Sequence, residues 1–336
     1  MKRIISVSYL IAFWLLSTNQ IIAQDNALYI HDKKISVPGN GVYDYLSIDK
    51  TNNRLYVSHG IAVNVIDLNT DKVIGTIEGM QGNHGIAIAN EFNKGFISDG
   101  KANSIVVFDL KTLKTITIVP ISGQKSDAIL YDPSSKKVYA FNGDSNNATV
   151  LDASTDKEVG TIALHGAPEF AVADGQGLIY NNLEDKNSLD VIDVKAKKVI
   201  KSYDLAPCGG PTGLALDAQH LRLFTACRLN KGVSVVDIQS GKVITTLPIG
   251  AGVDAVAYDP GTKLIFCSNG DGTTTIIKQL SADKYNVVQT LATQVRAKTL
   301  ALDPTTHKIY LSVAKFKEGS RTPEPDSFEV LVYKMQ

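Results

Sequence analysis

Asp44, His84, Asp127, Glu169, Thr212, Asp254 and Lys298 occupy matching places in a recurring pattern, and most carry side chains that hold cations or polar ligands. Each lies five residues ahead of the end of an apolar stretch, marked by Asp49, Asp132, Asp217, Asp259 and Asp303 in the clearest copies and aligned through Phe96 in the second. Carboxylates are the oxygen donors that calcium takes, and imidazole recruits zinc. A second set, where the next strand gives way to a loop, contains His59, Asp99, Asn142, Cys227 and Asn269, so that His59 and His84 fall in consecutive copies. If these positions converge, they make a polar funnel; a funnel that is merely hydrated would look the same. The residues expected to contact a ligand are Asp44, His59, His84, Asp127, Glu169, Asp254 and Lys298. No catalytic residue is assigned and no cofactor is required, with calcium or zinc as the cation these donors would suit.

The elements that must position them repeat as well. "VNVIDLNTDKVIGTI" from Val63 returns as "IVVFDLKTLKTITIV", "ATVLDASTDKEVGTI", "LDVIDVKAKKVIKSY" and "VSVVDIQSGKVITTL", its aspartates spaced 42, 43, 41 and 44 residues apart. A second marker keeps the same period: "SIDKTNNRLYV", "LYDPSSKKVYA", "ALDAQHLRLFT", "AYDPGTKLIFC" and "ALDPTTHKIYL" each place Tyr or Phe seven residues after the Asp. A fixed period in this range signals a repeat architecture. The units are rich in β-branched and aromatic residues and lack helical periodicity, so each reads as four short strands joined by turns, a propeller blade. In "VIDLNTDKVI" the Asp67 carboxylate is placed to accept turn N–H groups, with Thr70 adding a hydroxyl bond.

Seven units begin near Leu46, Ile86, Ala128, Phe170, Gly213, Ala255 and Leu300. The last supplies "SFEVLVYKMQ" as its third strand and no fourth, whereas "ALYIHDKKISVPG" ahead of the first unit aligns with a closing strand. The predicted fold is therefore all-β, a seven-bladed β-propeller with four antiparallel strands per blade, in which the N-terminal strand completes the last blade and removes the open edge.

The motifs "RLYV", "VNVIDLNTDKVIGTI" and "GKVITTLPIGAGVDAVAYDP" resemble the YVTN-type, YncE-like propellers of exported bacterial proteins across the chain after its leader. The resemblance implies periplasmic or cell-surface location, and single-stranded DNA binding is described for YncE; related propellers include lactonases and subunits of quinone-dependent amine dehydrogenases. No Trp-Asp pair marks a WD repeat, and the only Trp, Trp14, lies in the leader, so a quinone-docking motif is not expected.

"MKRIISVSYLIAFWLLSTNQIIAQ" reads as a signal peptide over residues 1–23, with Lys2 and Arg3 ahead of an apolar core and Ala23 at the cleavage point. Residues 24–336 are then a single propeller domain, exported to the periplasm or beyond, without membrane insertion and expected to be a monomer. Formal charge is zero over the whole sequence and about −2 without Lys2 and Arg3, which excludes a phosphate-binding surface over the entire molecule. Cys208, Cys227 and Cys267 are an odd set. The register leaves a Cys208–Cys227 bridge open and puts Cys267 in a strand as a buried thiol.

Other features point less sharply. Lys101, Lys125, Arg228, Lys231, Arg296, Lys315 and Lys317, with Phe316 or Tyr45 for base stacking, outline a basic arc that Asp99, Asp144, Glu184, Asp185 and Asp271 dilute. "GNGVYD" and "GAGVDA" lack the third glycine and following helix of a dinucleotide loop and read as turns; "NGDSNN" and "SNGDG" lack calcium-loop spacing. His31, His220 and His307 fall on an outer strand or bottom turns, and His165 lies near the top without an apparent partner. The leading expectation is an exported binding module whose partner is a protein or a small polar ligand. The alternatives are a metal-dependent hydrolase such as a lactonase, built on Asp44, His84, Asp127, Glu169 and Asp254, and nucleic-acid binding, which is not favoured.

Overall fold

The computed structural model describes residues 27–336; the leader expected over residues 1–23 lies outside them. Seven four-stranded antiparallel sheets form a ring. The first blade runs Tyr43–Asp49, Arg54–His59, Ala62–Asp67 and Lys72–Ile77, in sequential order from the centre outward. Five further blades repeat that order, and the first strands of neighbouring blades pack against one another around the axis until the seventh meets the first. In the seventh blade Tyr29–Ser36 pairs antiparallel with Glu329–Met335, which closes the ring as expected.

Apolar alternation explains where the core lies. Middle strands such as Arg54–His59 and Leu264–Asn269 are buried almost throughout, while the fourth strands alternate between exposed and half-buried positions. The buried residues gather into seven clusters, one in each interface between neighbouring blades. Stability is therefore distributed around the ring rather than held in one central core.

The repeated aspartates build hairpins. Asp67 accepts N–H groups of Asn69 and Thr70 at 2.9 and 2.8 Å and the Thr70 hydroxyl at 3.0 Å, and Asp109 does the same for Lys111 and Thr112. Four residues after each such Asp the backbone turns left-handed, at Asn53, Asp71, Leu113, Lys136, Asp156, Lys197, Leu221, Gly241, Lys263 and His307. A left-handed residue after a tight turn matches the right-handed twist of the strands that follow. Blade two, which lacks the Asp, uses a short 3-10 turn at Asn90–Phe92 with Asn93 left-handed.

The first strands begin earlier than the sequence pattern suggests, at Tyr43, Asn83, Ser126, Pro168, Pro211 and Val253. The reason is a bulge. Pairing with the second strand shifts register between Tyr43 and Leu46, Asn83 and Ile86, Ser126 and Ile129, Pro168 and Ala171, Pro211 and Leu214, and Val253 and Ala255. The disturbed alternation hides the first residues of each strand from a period-2 reading.

Candidate functional site at the channel mouth

Those bulges contain the residues with chemical potential. Asp44, His84, Asp127, Glu169, Thr212 and Asp254 are each the second residue of an inner strand, and Lys298 lies just ahead of Leu300–Asp303. An extra residue in a bulge re-aims a side chain. A second device holds the backbone at these points. The buried hydroxyls of Ser98 and Ser268 donate to the carbonyls of Asp127 and Lys298 in the next blade, each at 2.5 Å. Ser58 donates to the His84 carbonyl, Ser312 to that of Asp44, and the Asn182 amide to that of Thr212. Sequence reasoning missed this clamp, although its signal was present: a polar residue eight or nine positions after the strand-end Asp, inside an otherwise apolar strand.

On one side of the mouth His84 Nδ1 lies 2.7 Å from Asp44 Oδ2 and 3.8 Å from Asp127 Oδ1. One donor atom from each of these three residues falls within 4.8 Å of the others, a spacing that a cation could bridge. Burial opposes protonation of His84, but the Asp44 hydrogen bond and the charges of Asp127 and Asp44 outweigh it and raise its pKa. Burial, then repulsion from Asp44, pushes Asp127 up to about 6, although 29% of its side chain still faces the mouth. Asp127 Oδ1 is itself enclosed and has no hydrogen-bond partner. Glu169 is held well above the usual carboxylate range by burial, then by Asp127 and Glu184.

Below them Tyr45 and Phe170 meet with ring centroids 4.8 Å apart and narrow the channel to a cavity of about 150 Å³. Burial, and then the charges of Asp127, Asp44, Glu169 and Asp254, push the Tyr45 hydroxyl well above its ordinary pKa. Four carboxyls thus act on one half-buried phenol. Tyr45 is part of this plug and is unavailable for base stacking.

The other side of the mouth is basic. Asp254 is gripped by both Arg228 and Lys298, and Arg228 also meets Glu184 at 2.6 Å. Burial alone would depress the pKa of both cations; the Asp254 charge reverses this and raises them. Arg228 was legible as a basic residue but not as a partner of the ring, because it comes from the neighbouring repeat.

Two positions stand apart. Thr212 is buried, with its hydroxyl on the Val253 carbonyl at 3.3 Å. His59 is 3% exposed, packs on Phe328 at 4.3 Å and lines a different cavity of about 680 Å³ with Asn64, Glu78 and Met80. Asn64 Nδ2 donates to Thr76, which turns its Oδ1 toward His59 Nδ1 at 3.2 Å. The ring proton therefore belongs on Nδ1, and Nε2 keeps a lone pair without a partner. Burial lowers the His59 pKa, in keeping with a neutral ring.

Three of the other four histidines are pinned by acids, while His31 packs edge-on against Tyr333. His165 meets the fully buried Asp190 at 2.9 Å, so it does have a partner, while His220 and His307 meet Asp217 and Asp259 at 2.7 Å each. Cys208 and Cys227 form a disulfide and Cys267 is a buried thiol. Among the described residues no helix is long and apolar enough to cross a membrane.

Fold and site together define a seven-bladed propeller with a plugged channel and a charged mouth. No family model matches the chain. It is similar to Antigen Lp49 of Leptospira interrogans serogroup Icterohaemorrhagiae serovar copenhageni (strain Fiocruz L1-130), with 25% identity over 186 residues. That match takes in 53% of this chain and 40% of the relative's length.

Proposed function

We propose that this protein is an exported binding module of the YVTN type that holds its ligand at the channel mouth. The observation that carries this reading is the crowding of Asp44, Asp127, Glu169 and Asp254 around the half-buried Tyr45 phenol, with the Asp44 and Asp127 bulges fixed by hydrogen bonds between blades. The pKa values of Asp127 and Glu169 are raised, and displaced pKa values in a cleft are a mark of function. Export is supported by the Cys208–Cys227 disulfide, a bond that persists outside reducing compartments, and by the signal-like leader. A relative described as an antigen accords with that location.

The acidic half suits a divalent cation. Asp44, His84 and Asp127 supply two carboxylates and an imidazole, and the unpartnered Oδ1 of Asp127 is a donor in waiting. An imidazole in the set favours zinc over calcium. Calorimetric titration of zinc, manganese and calcium into the chelated chain tests this; the expected result is one site that Asp127→Asn abolishes. Heat of binding that survives the substitution would place the cation elsewhere.

The same cluster supports a second reading, a metal-dependent hydrolase of the lactonase kind. A bound cation would supply Lewis acidity for activating water. Glu169, protonated at neutral pH, would be a proton donor beside it. Lactone turnover that requires added metal and is lost in Asp44→Asn would support hydrolysis; binding without turnover leaves the module. Nucleic-acid binding draws less support, because Arg228 is neutralised by Glu184 and Asp254, and Lys125 is paired with Asp144.

A further inference from the structure

On the basic side, a cavity of about 720 Å³ opens beside Lys298 and Arg228. That size is typical of pockets for small molecules. Four cationic side chains line it, Arg228, Arg296, Lys298 and Arg321, against one carboxylate, Asp271. Asp271 is already engaged by the Ala251 N–H at 2.6 Å and the Thr273 hydroxyl at 2.7 Å. Asp254 satisfies Arg228 and Lys298 from within. Arg296, by contrast, has the Ser320 carbonyl and the Phe316 ring for company, its guanidinium carbon 3.9 Å from the ring centroid, and Arg321 is exposed. Neither is paired with a carboxylate among the described residues.

The cavity also has an aromatic wall and a bare floor. Phe316 and Tyr43 form the wall, their ring centroids 6.3 Å apart. Gly252 and Gly270 form the floor, and a Cβ at Gly270 would come within 3.2 Å of the Gly252 carbonyl. Gly252 in "GAGVDA" and Gly270 in "SNGDG" thus let the two turns approach closely at the cavity, a role that their sequence does not announce.

We propose that this cavity binds a small organic anion, a carboxylate or phosphate joined to a flat apolar ring. The anionic oxygens meet the guanidinium forks of Arg296 and Arg321, which match carboxylate and phosphate geometry, and the ring lies against Phe316. The inference rests on the reading of the mouth as the ligand face and names the chemistry of its basic half.

The probe is 1-naphthoate, with the neutral 1-naphthalenemethanol as its twin, titrated into residues 24–336 at about 0.15 M salt, where surface attractions beyond about 8 Å are screened. The naphthoate is expected to bind at least about tenfold more tightly than the twin, a difference of about 1.4 kcal/mol. Arg296→Gln with Arg321→Gln is expected to remove that preference; Arg321→Gln alone, at an exposed position, gives a partial loss if the double variant fails to fold. Equal affinity for the twin, no naphthoate binding at millimolar concentration, or full affinity in a folded Arg321→Gln and Arg296→Gln protein would each overturn the proposal. Cation binding measured on the same variants should be unchanged. No cation binding in the unsubstituted protein, or binding that survives Asp127→Asn, would strike the acidic half of the mouth and leave the anion result standing.

Discussion

Individual side chains at the mouth give the protein a distinctive response to pH. Asp127 and Glu169 have folded-state pKa values above their unfolded ones, so the folded chain binds more protons than the unfolded chain above about pH 4. Their contribution falls as pH rises, through about pH 6 for Asp127 and at higher pH for Glu169. His84 acts in the same sense: with its pKa raised, the stability it lends below its unfolded pKa is lost as pH passes the folded value. Metal-free protein is therefore expected to melt at lower temperature at pH 8 than at pH 5. Asp127→Asn combined with Glu169→Gln should narrow that gap by raising the melting temperature at pH 8; thermal scans of both proteins at the two pH values check it. Glu169 itself was legible as a ring residue, but its displaced pKa was not, because the sequence does not show that Glu184 and Asp127 crowd it.

Within each blade, the turn carries more information than the strands. The repeated Asp announced a capped hairpin, and the hydrogen bonds at Asp67 and Asp109 bear that out. The left-handed residue four places later went unread because only Gly241 among ten such positions is glycine. Lys197→Gly should thus stabilise the protein by up to about 1 kcal/mol, since the lysine bears a left-handed backbone that glycine adopts freely. Gly241→Ala should do the opposite and more, because its Cβ would fall 2.2 Å from the Tyr203 ring. Melting temperatures of the two variants compare them directly. The clamp between blades was also hidden, since Ser98 and Ser268 find their partners 29 and 30 residues further along the chain. Ser268→Ala leaves the Lys298 carbonyl without this donor and should cost about 1–3 kcal/mol, seen as a lowered melting temperature.

Across the whole molecule, closure is what seven copies of a hairpin unit provide, and it was legible because the last unit lacked a strand that the N-terminal segment could supply. Tyr29 shows how firmly the join is made: it is fully buried, its hydroxyl donates to the His307 carbonyl at 2.6 Å, and its backbone exchanges two hydrogen bonds with the Gln289 amide of the sixth blade. Tyr29→Ala should cost about 3–5 kcal/mol, by analogy with other large aromatic truncations in cores, and lower the denaturant midpoint accordingly. What the sequence could not reveal is the division of the mouth into an acidic and a basic half. That division depends on Arg228 reaching across a blade interface to Asp254.

The central claim, that the mouth is a ligand site, is tested most directly by thermal unfolding of residues 24–336 after exhaustive chelation and again with zinc, manganese or calcium restored. A ligand that binds only the folded state adds about 2.7 kcal/mol at a hundredfold excess over its dissociation constant, enough to shift a domain of this size by several degrees. The account predicts such a rise with at least one of these cations, zinc foremost, and its disappearance in Asp44→Asn and Asp127→Asn. An unchanged melting temperature with every cation, or a rise that survives both substitutions, would contradict it.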